Sequence, residues 1–193
     1  MATASLPPAP SAETSPLESR GFADAAARPE AEVLFDHFDD QVHGIANDAK
    51  NDQNGELLVL MRVNSPQPVR EDFSPGDRMS LQAGASGTVL RTFAGGIDGT
   101  PPEAFSKLPV VVIGGINPEV GAISAPIFEP SSKLIGVISV SGPKSRFSAP
   151  MADRFCKLLM TEVTQLALAT GVNPDIYSGK KRAGTRGPSV SAA

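Results

Sequence analysis

The stretch Gly121–Phe147, GAISAPIFEPSSKLIGVISVSGPKSRF, decides the fold. It reads as a β-hairpin, with apolar runs on either side of the turn signal EPSSK. Side chains alternate across a strand, so in LIGVISVSG the residues two apart share a face, and Ser139 and Ser141 project together. A strand otherwise built of Leu, Ile and Val is buried. Two hydroxyls on it therefore need partners, whether backbone, water or a small polar ligand.

Working outward, the stripe Phe155, Leu158, Leu159, Val163 and Leu166 predicts an amphipathic helix from Ala149 to Thr170. On the other side, LPVVVIGG is a continuous β-branched run suited to a buried strand. Before it, RMSLQA reads as a short strand, GASGTVLRTFAGG as a helix entered through small residues, and IDGTPPEAFSK as a linker with room for one helical turn. Prolines 66, 68 and 75 enforce a loop whose large apolar residues are Val69 and Phe73. The Asn-Gly of NDQNG sets a tight turn between VHGIANDAK, read as a weak edge strand, and ELLVLMRV. PEAEVLFDHFDDQ, with Val33, Leu34, Phe38 and Val42 at helical spacing, predicts a first helix from Pro29 to Gln41. Hairpins with helices at both ends predict an α+β domain built on an antiparallel sheet.

Composition bounds the function. The chain has 193 residues, enough for one domain with a sizeable core. Residues 1–28 are Ala/Pro/Ser-rich and lack the apolar surface to offset ordering entropy, which predicts disorder. No apolar run near the start fits a signal peptide and none approaches the length of a membrane span, so a cytoplasmic protein without membrane contact is expected. One cysteine and two histidines supply no credible zinc set, and neither a metal nor a cofactor is expected. The net charge of −4 lacks the basic footprint of a nucleic-acid binder. Lys180, Lys181, Arg182 and Arg186 make residues 174–193 basic, but four charges in a Gly/Ser setting read as a flexible, solvated end before they read as a DNA arm.

AISAPIF, then SVSGPKSRF, then a long helix resembles the C-terminal signature of IclR-type transcriptional regulators, specifically their effector-binding domain. GDRMSLQAGASGTVLRTFAG is similar to a second segment of that family, in the right order. The likeness runs from about Pro29 to Gly171, and residues 29–173 are taken as the domain. It implies a GAF-like or profilin-like curved antiparallel sheet of about six strands, with helices packed on one face and a ligand pocket on the other. The family's preceding winged helix-turn-helix has no counterpart here. DNA contact is thus expected only indirectly, through a missing or separate helix-turn-helix, with the sensor itself a homodimer or homotetramer.

The turn AGASG places backbone N–H groups at the start of a helix, where orphan donors and the dipole favour an anion; equally, Gly84 and Gly87 serve a tight turn or close packing. The resemblance implies that the pocket uses this turn, at Gly87 and Thr88, together with Ser139 and Ser141, to hold the carboxylate of a small organic or aromatic acid. It further implies apolar walls at Phe73, Leu81 and Val120 or Ala122, positions whose ordinary reading is core packing. Gly115 stands where family members often carry an acid, and Gln82 where they carry a histidine. No catalytic residue is assigned. A serine nucleophile needs a base, and nothing in the spacing brings His37 or His43 near the serines. Two function classes stand: an effector-sensing module, and a non-sensory dimerisation or interaction scaffold in which the serine pair is a satisfied piece of core.

Overall fold

A computed structural model of the chain describes residues 41–46, 56–63, 73–82 and 84–178. Of the expected first helix over 29–41, all but Gln41, which begins the first strand, lies outside the described residues, as do the segment 1–28 and most of the basic tail. Six strands form one sheet in the order β3-β2-β1-β6-β5-β4: β1 Gln41–Ala46, β2 Glu56–Val63, β3 Arg78–Ser80, β4 Val110–Ile113, β5 Val120–Phe128 and β6 Leu134–Pro143. All five pairings are antiparallel. Helix α1 spans Gly84–Thr92, a single turn α2 spans Pro102–Phe105, and α3 spans Ala149–Thr170.

The β5–β6 hairpin sits inside the sheet, flanked by β1 and β4. Its register sets Ala122 opposite Ser141, Ser124 opposite Ser139, and Ile123 opposite Val140. One face of the hairpin therefore carries the serines and the other Ile123, Ala125, Ile138 and Val140, because opposed residues project to the same side. Both faces are buried.

Three expectations are corrected at this level. Helices pack on both faces rather than one. A Ser86–Ser124 contact of 3.2 Å places the start of α1 on the serine face. A Cβ built on Gly121, on the opposite face, would stand 2.6 Å from the Phe147 ring, which in turn lies 5.6 Å from Phe155 of α3. The second correction is that VHGIA is not an edge strand: β1 bonds to β2 on one side and β6 on the other, and Val42, assigned to the first helix by spacing, lies in it. An interior strand of six residues with Gln, His and Gly carries too little apolar signal to reveal its position. Thirdly, the run VVVI forms edge strand β4, where Val111 and Ile113 are 43 % and 50 % exposed. β-branched residues specify strand, not depth.

Helix α3 ends as its sequence predicts, at Thr170. Gly171 takes a left-handed conformation (φ 81°), and the Val172 N–H bonds back to the Ala167 carbonyl at 2.8 Å, closing the helix with a Schellman-type turn. Its Phe155, Leu159, Val163 and Ala167 are buried, with Leu158 and Leu166 at the margin of the stripe. The packed region continues past residue 173, the boundary drawn from sequence. A 3₁₀ turn over Pro174–Tyr177 buries Ile176 and Tyr177, and the Asn173 side chain caps it by accepting from the Asp175 N–H. On the serine face Phe93, Phe105 and Phe128 meet edge-to-face or tilted, with centroids 5.0–6.1 Å apart. Tyr177 joins Phe128 at 6.3 Å and donates to the Pro126 carbonyl at 2.9 Å.

Two outcomes follow from this packing. Phe155→Ala should cost about 3–5 kcal/mol, the range for deleting a buried aromatic, read by denaturant unfolding. Burial pushes the Tyr177 phenol well above its ordinary value, and a hydrogen bond with the Phe128 backbone opposes it only in part. A neutral group whose folded pKa is raised stabilises the fold fully below the unfolded value of about 10, and that contribution is lost as pH rises beyond it. Stability should therefore fall above about pH 10, less steeply in Tyr177→Phe. Because Tyr177 is the one tyrosine and there is no tryptophan, the phenolate absorbance reports this group alone.

Candidate functional site

A cavity of about 60 Å³ opens between the first turn of α1, the serine face of β5–β6, strands β2 and β3, and the turn that follows β4. Its floor is Ala122, Ser139 and Ser141, its inner wall Leu57, Val59 and Met79, and its far side Gly84, Ala85 and Ser86. Phe73, Val112 and Val120 complete the walls, and Gly115, Ile116 and Asn117, all exposed, form the rim. Among the described residues, no lining side chain is charged. A single water needs about 10–15 Å³ on this measure, so the space suits a solute of about four to six heavy atoms.

Of the eight residues singled out from the sequence, the structure brings Phe73, Val120, Ala122, Ser139 and Ser141 together around this cavity. Gly87, Thr88 and Leu81 are not among its lining residues. The helix begins three residues before Gly87, so the turn that borders the cavity is Gly84–Ser86. Gly87 instead packs on the Leu81 carbonyl, where an added Cβ would stand 2.4 Å from the oxygen. The Thr88 hydroxyl turns back to the Gly84 carbonyl at 2.9 Å. Gly115 does lie on the rim, with Val112 so close that an added Cβ would meet it at 2.8 Å; Gln82 is exposed.

The serines are differently furnished from what their spacing shows. Ser139, 2 % exposed, bonds the Ser124 hydroxyl at 2.7 Å and the Ile123 carbonyl at 3.3 Å. Ser124 in turn reaches Ser86 at 3.2 Å. Sequence reasoning missed Ser86 and Ser124. The signal for Ser124 was the spacing SxxxxxxxxxxxxxxS across a hairpin, useful only once the register is known. Ser141, 4 % exposed, shares the face.

The sheet brings a histidine position beside the serines, against the expectation from spacing. Across the β1–β6 ladder His43 stands opposite Ser139, and Gln41 opposite Ser141. The proximity comes from a pairing between strands almost a hundred residues apart, which local spacing does not encode. Among the described residues no group of three His, Cys, Asp or Glu is placed to hold a metal ion, and no helix is long and apolar enough to cross a membrane. Burial first, and Asp153 second, push the Cys156 thiol up, away from the thiolate.

No family model matches the sequence, and no curated protein matches it. Solved structures do. The IclR protein of Thermotoga maritima superposes with a TM-score of 0.62 at 17 % identity, covering 79 % of this chain and 68 % of that one. A domain of an IclR-family protein described as a transcriptional regulator matches at 0.61 and 14 % identity, over 81 % of this chain and 98 % of the domain. The C-terminal domain of a protein from Vibrio cholerae, also described as a transcriptional regulator, matches at 0.54 and 24 % identity, over 82 % of this chain and 99 % of the domain. Nearly the whole of the isolated domains is matched, against about two thirds of the longer protein. The fold of this chain is that of the domain these IclR-type regulators carry.

Proposed function

We propose that this chain is the effector-sensing domain of an IclR-type transcriptional regulator and that its cavity binds a small carboxylic acid. The observation that carries the reading is the convergence, on one uncharged cavity, of the first turn of α1 with Ser139 and Ser141. The orphan N–H groups of a helix start and two hydroxyls are donors suited to a carboxylate, and the apolar walls suit a short carbon chain. At about 60 Å³ the cavity favours small acids over aromatic ones. In this reading a GAF-like curved sheet is the scaffold, and ligand binding biases how subunits of a cytoplasmic homodimer or homotetramer are arranged, and so any DNA-binding domains linked to them. The scaffold alternative draws on one observation, the exposed Val111, Ile113 and Ile116 at the β4 edge.

Thermal unfolding with a panel of short-chain acids separates the two. A ligand at a hundred times its dissociation constant stabilises by about 2.7 kcal/mol, an easily read rise in Tm. Replacing Ser139 and Ser141 together by Ala should weaken the bound acid by about 1–3 kcal/mol while the fold survives. Under the scaffold reading no acid raises Tm, and the double variant changes stability alone.

A further inference from the structure

Ser86, Ser124 and Ser139 form an unbranched hydroxyl chain, with Ser124 fully buried in the middle and both end residues lining the cavity. Each hydroxyl has one proton to donate. Two internal bonds consume two of the three protons. If Ser124 donates to Ser139, then Ser86 must donate to Ser124, and the spare proton is on Ser139. If Ser124 donates to Ser86, then Ser139 must donate to Ser124, and the spare proton is on Ser86. A third arrangement, with both ends donating to Ser124, strands the Ser124 proton in a fully buried position, which is costly.

We infer that the Ser86–Ser124–Ser139 relay offers the cavity one hydroxyl donor and one hydroxyl acceptor at a time from its two ends, never two donors, and that Ser124 is the positioning residue that enforces it. In the ligand-free arrangement the spare proton goes from Ser139 to the Ile123 carbonyl at 3.3 Å, a long bond that a ligand oxygen can replace. A ligand that spans both ends must therefore present an acceptor to one serine and a donor to the other. A carboxylate with a hydroxyl on the adjacent carbon does so. A 2-oxo acid, which has acceptors only, leaves one end facing a lone pair with a lone pair. The two end hydroxyls share Ser124 as a neighbour, so they stand within two hydrogen-bond lengths of each other, the scale of such a small acid. The inference rests on the reading of the cavity as an acid-binding site and adds to it a selectivity for 2-hydroxy over 2-oxo acids.

The experiment compares lactate with pyruvate by calorimetry on the full chain. Lactate should bind the unaltered protein about fivefold more tightly, the fold-change one net hydrogen bond makes. In Ser124→Ala each end serine is free to donate, so pyruvate should gain affinity and the preference should vanish. In Ser86→Ala the acceptor end is removed, so the preference should vanish instead by a loss of lactate affinity, and this variant changes only a half-buried residue. Equal binding of the two acids by the unaltered protein, or a preference that persists in both variants, would overturn the inference. If neither acid binds, the sensing reading falls separately, and the chain is then read without ligand. Losses of Tm in Ser86→Ala and Ser139→Ala that fail to add in the double variant support a shared Ser124; additive losses refute it.

Discussion

The register of the β5–β6 hairpin is the constraint on which the rest depends. It sets Ser124 beside Ser139 and Ala122 beside Ser141 on one face, and Ile123 beside Val140 on the other. A slip of β6 by one residue would carry Ser139 and Ser141 to the α3 side and Ile138 and Val140 to the cavity. Because both faces are buried, such a slip would leave hydroxyls among Phe155 and Leu159 and remove the polar floor of the site. The register is thus held by packing on both sides of the sheet rather than by the turn alone.

That two-sided burial leaves one part of the domain filled and another with a cavity. On the α3 side, Phe147, Phe155, Leu159 and Val163 form an uninterrupted apolar layer. On the other, Phe93, Phe105, Phe128 and Tyr177 fill the space at one end of the hairpin. At the other end that cluster stops and the small residues Gly84, Ala85 and Ala122 leave the cavity open, with Phe73 on its wall. The site is a region where the side chains of α1 and β5 are too small to close the gap, with hydroxyls where a larger side chain would otherwise pack.

Polar groups in such a place have to satisfy one another in the absence of ligand. Ser139 does so through Ser124 and the Ile123 carbonyl, and Ser124 through Ser86. The bonds link the first turn of α1 to the centre of the sheet. A ligand that re-orients one hydroxyl thereby acts on the contact between a helix and the strands beneath it, the kind of contact through which a small change at a cavity reaches a whole domain.

What the sequence determined by itself was local. Alternation in LIGVISVSG put Ser139 and Ser141 on one face, the stripe from Phe155 onward gave α3 with its limits, and the turn before Val89 gave the helix that borders the cavity. These rest on periods of two and 3.6 residues that a short window displays. Only the tertiary structure decided which strands are interior, since VVVI became an exposed edge and QVHGIA a central strand, and only it placed helices on both faces of the sheet. It also chose Ser86 over Gly87 and Thr88 for the cavity wall and brought Ser124 and the position of His43 to Ser139. Those choices depend on hydrogen-bonded pairings between distant strands and on how much volume facing side chains leave unfilled, quantities that no run of neighbouring residues carries.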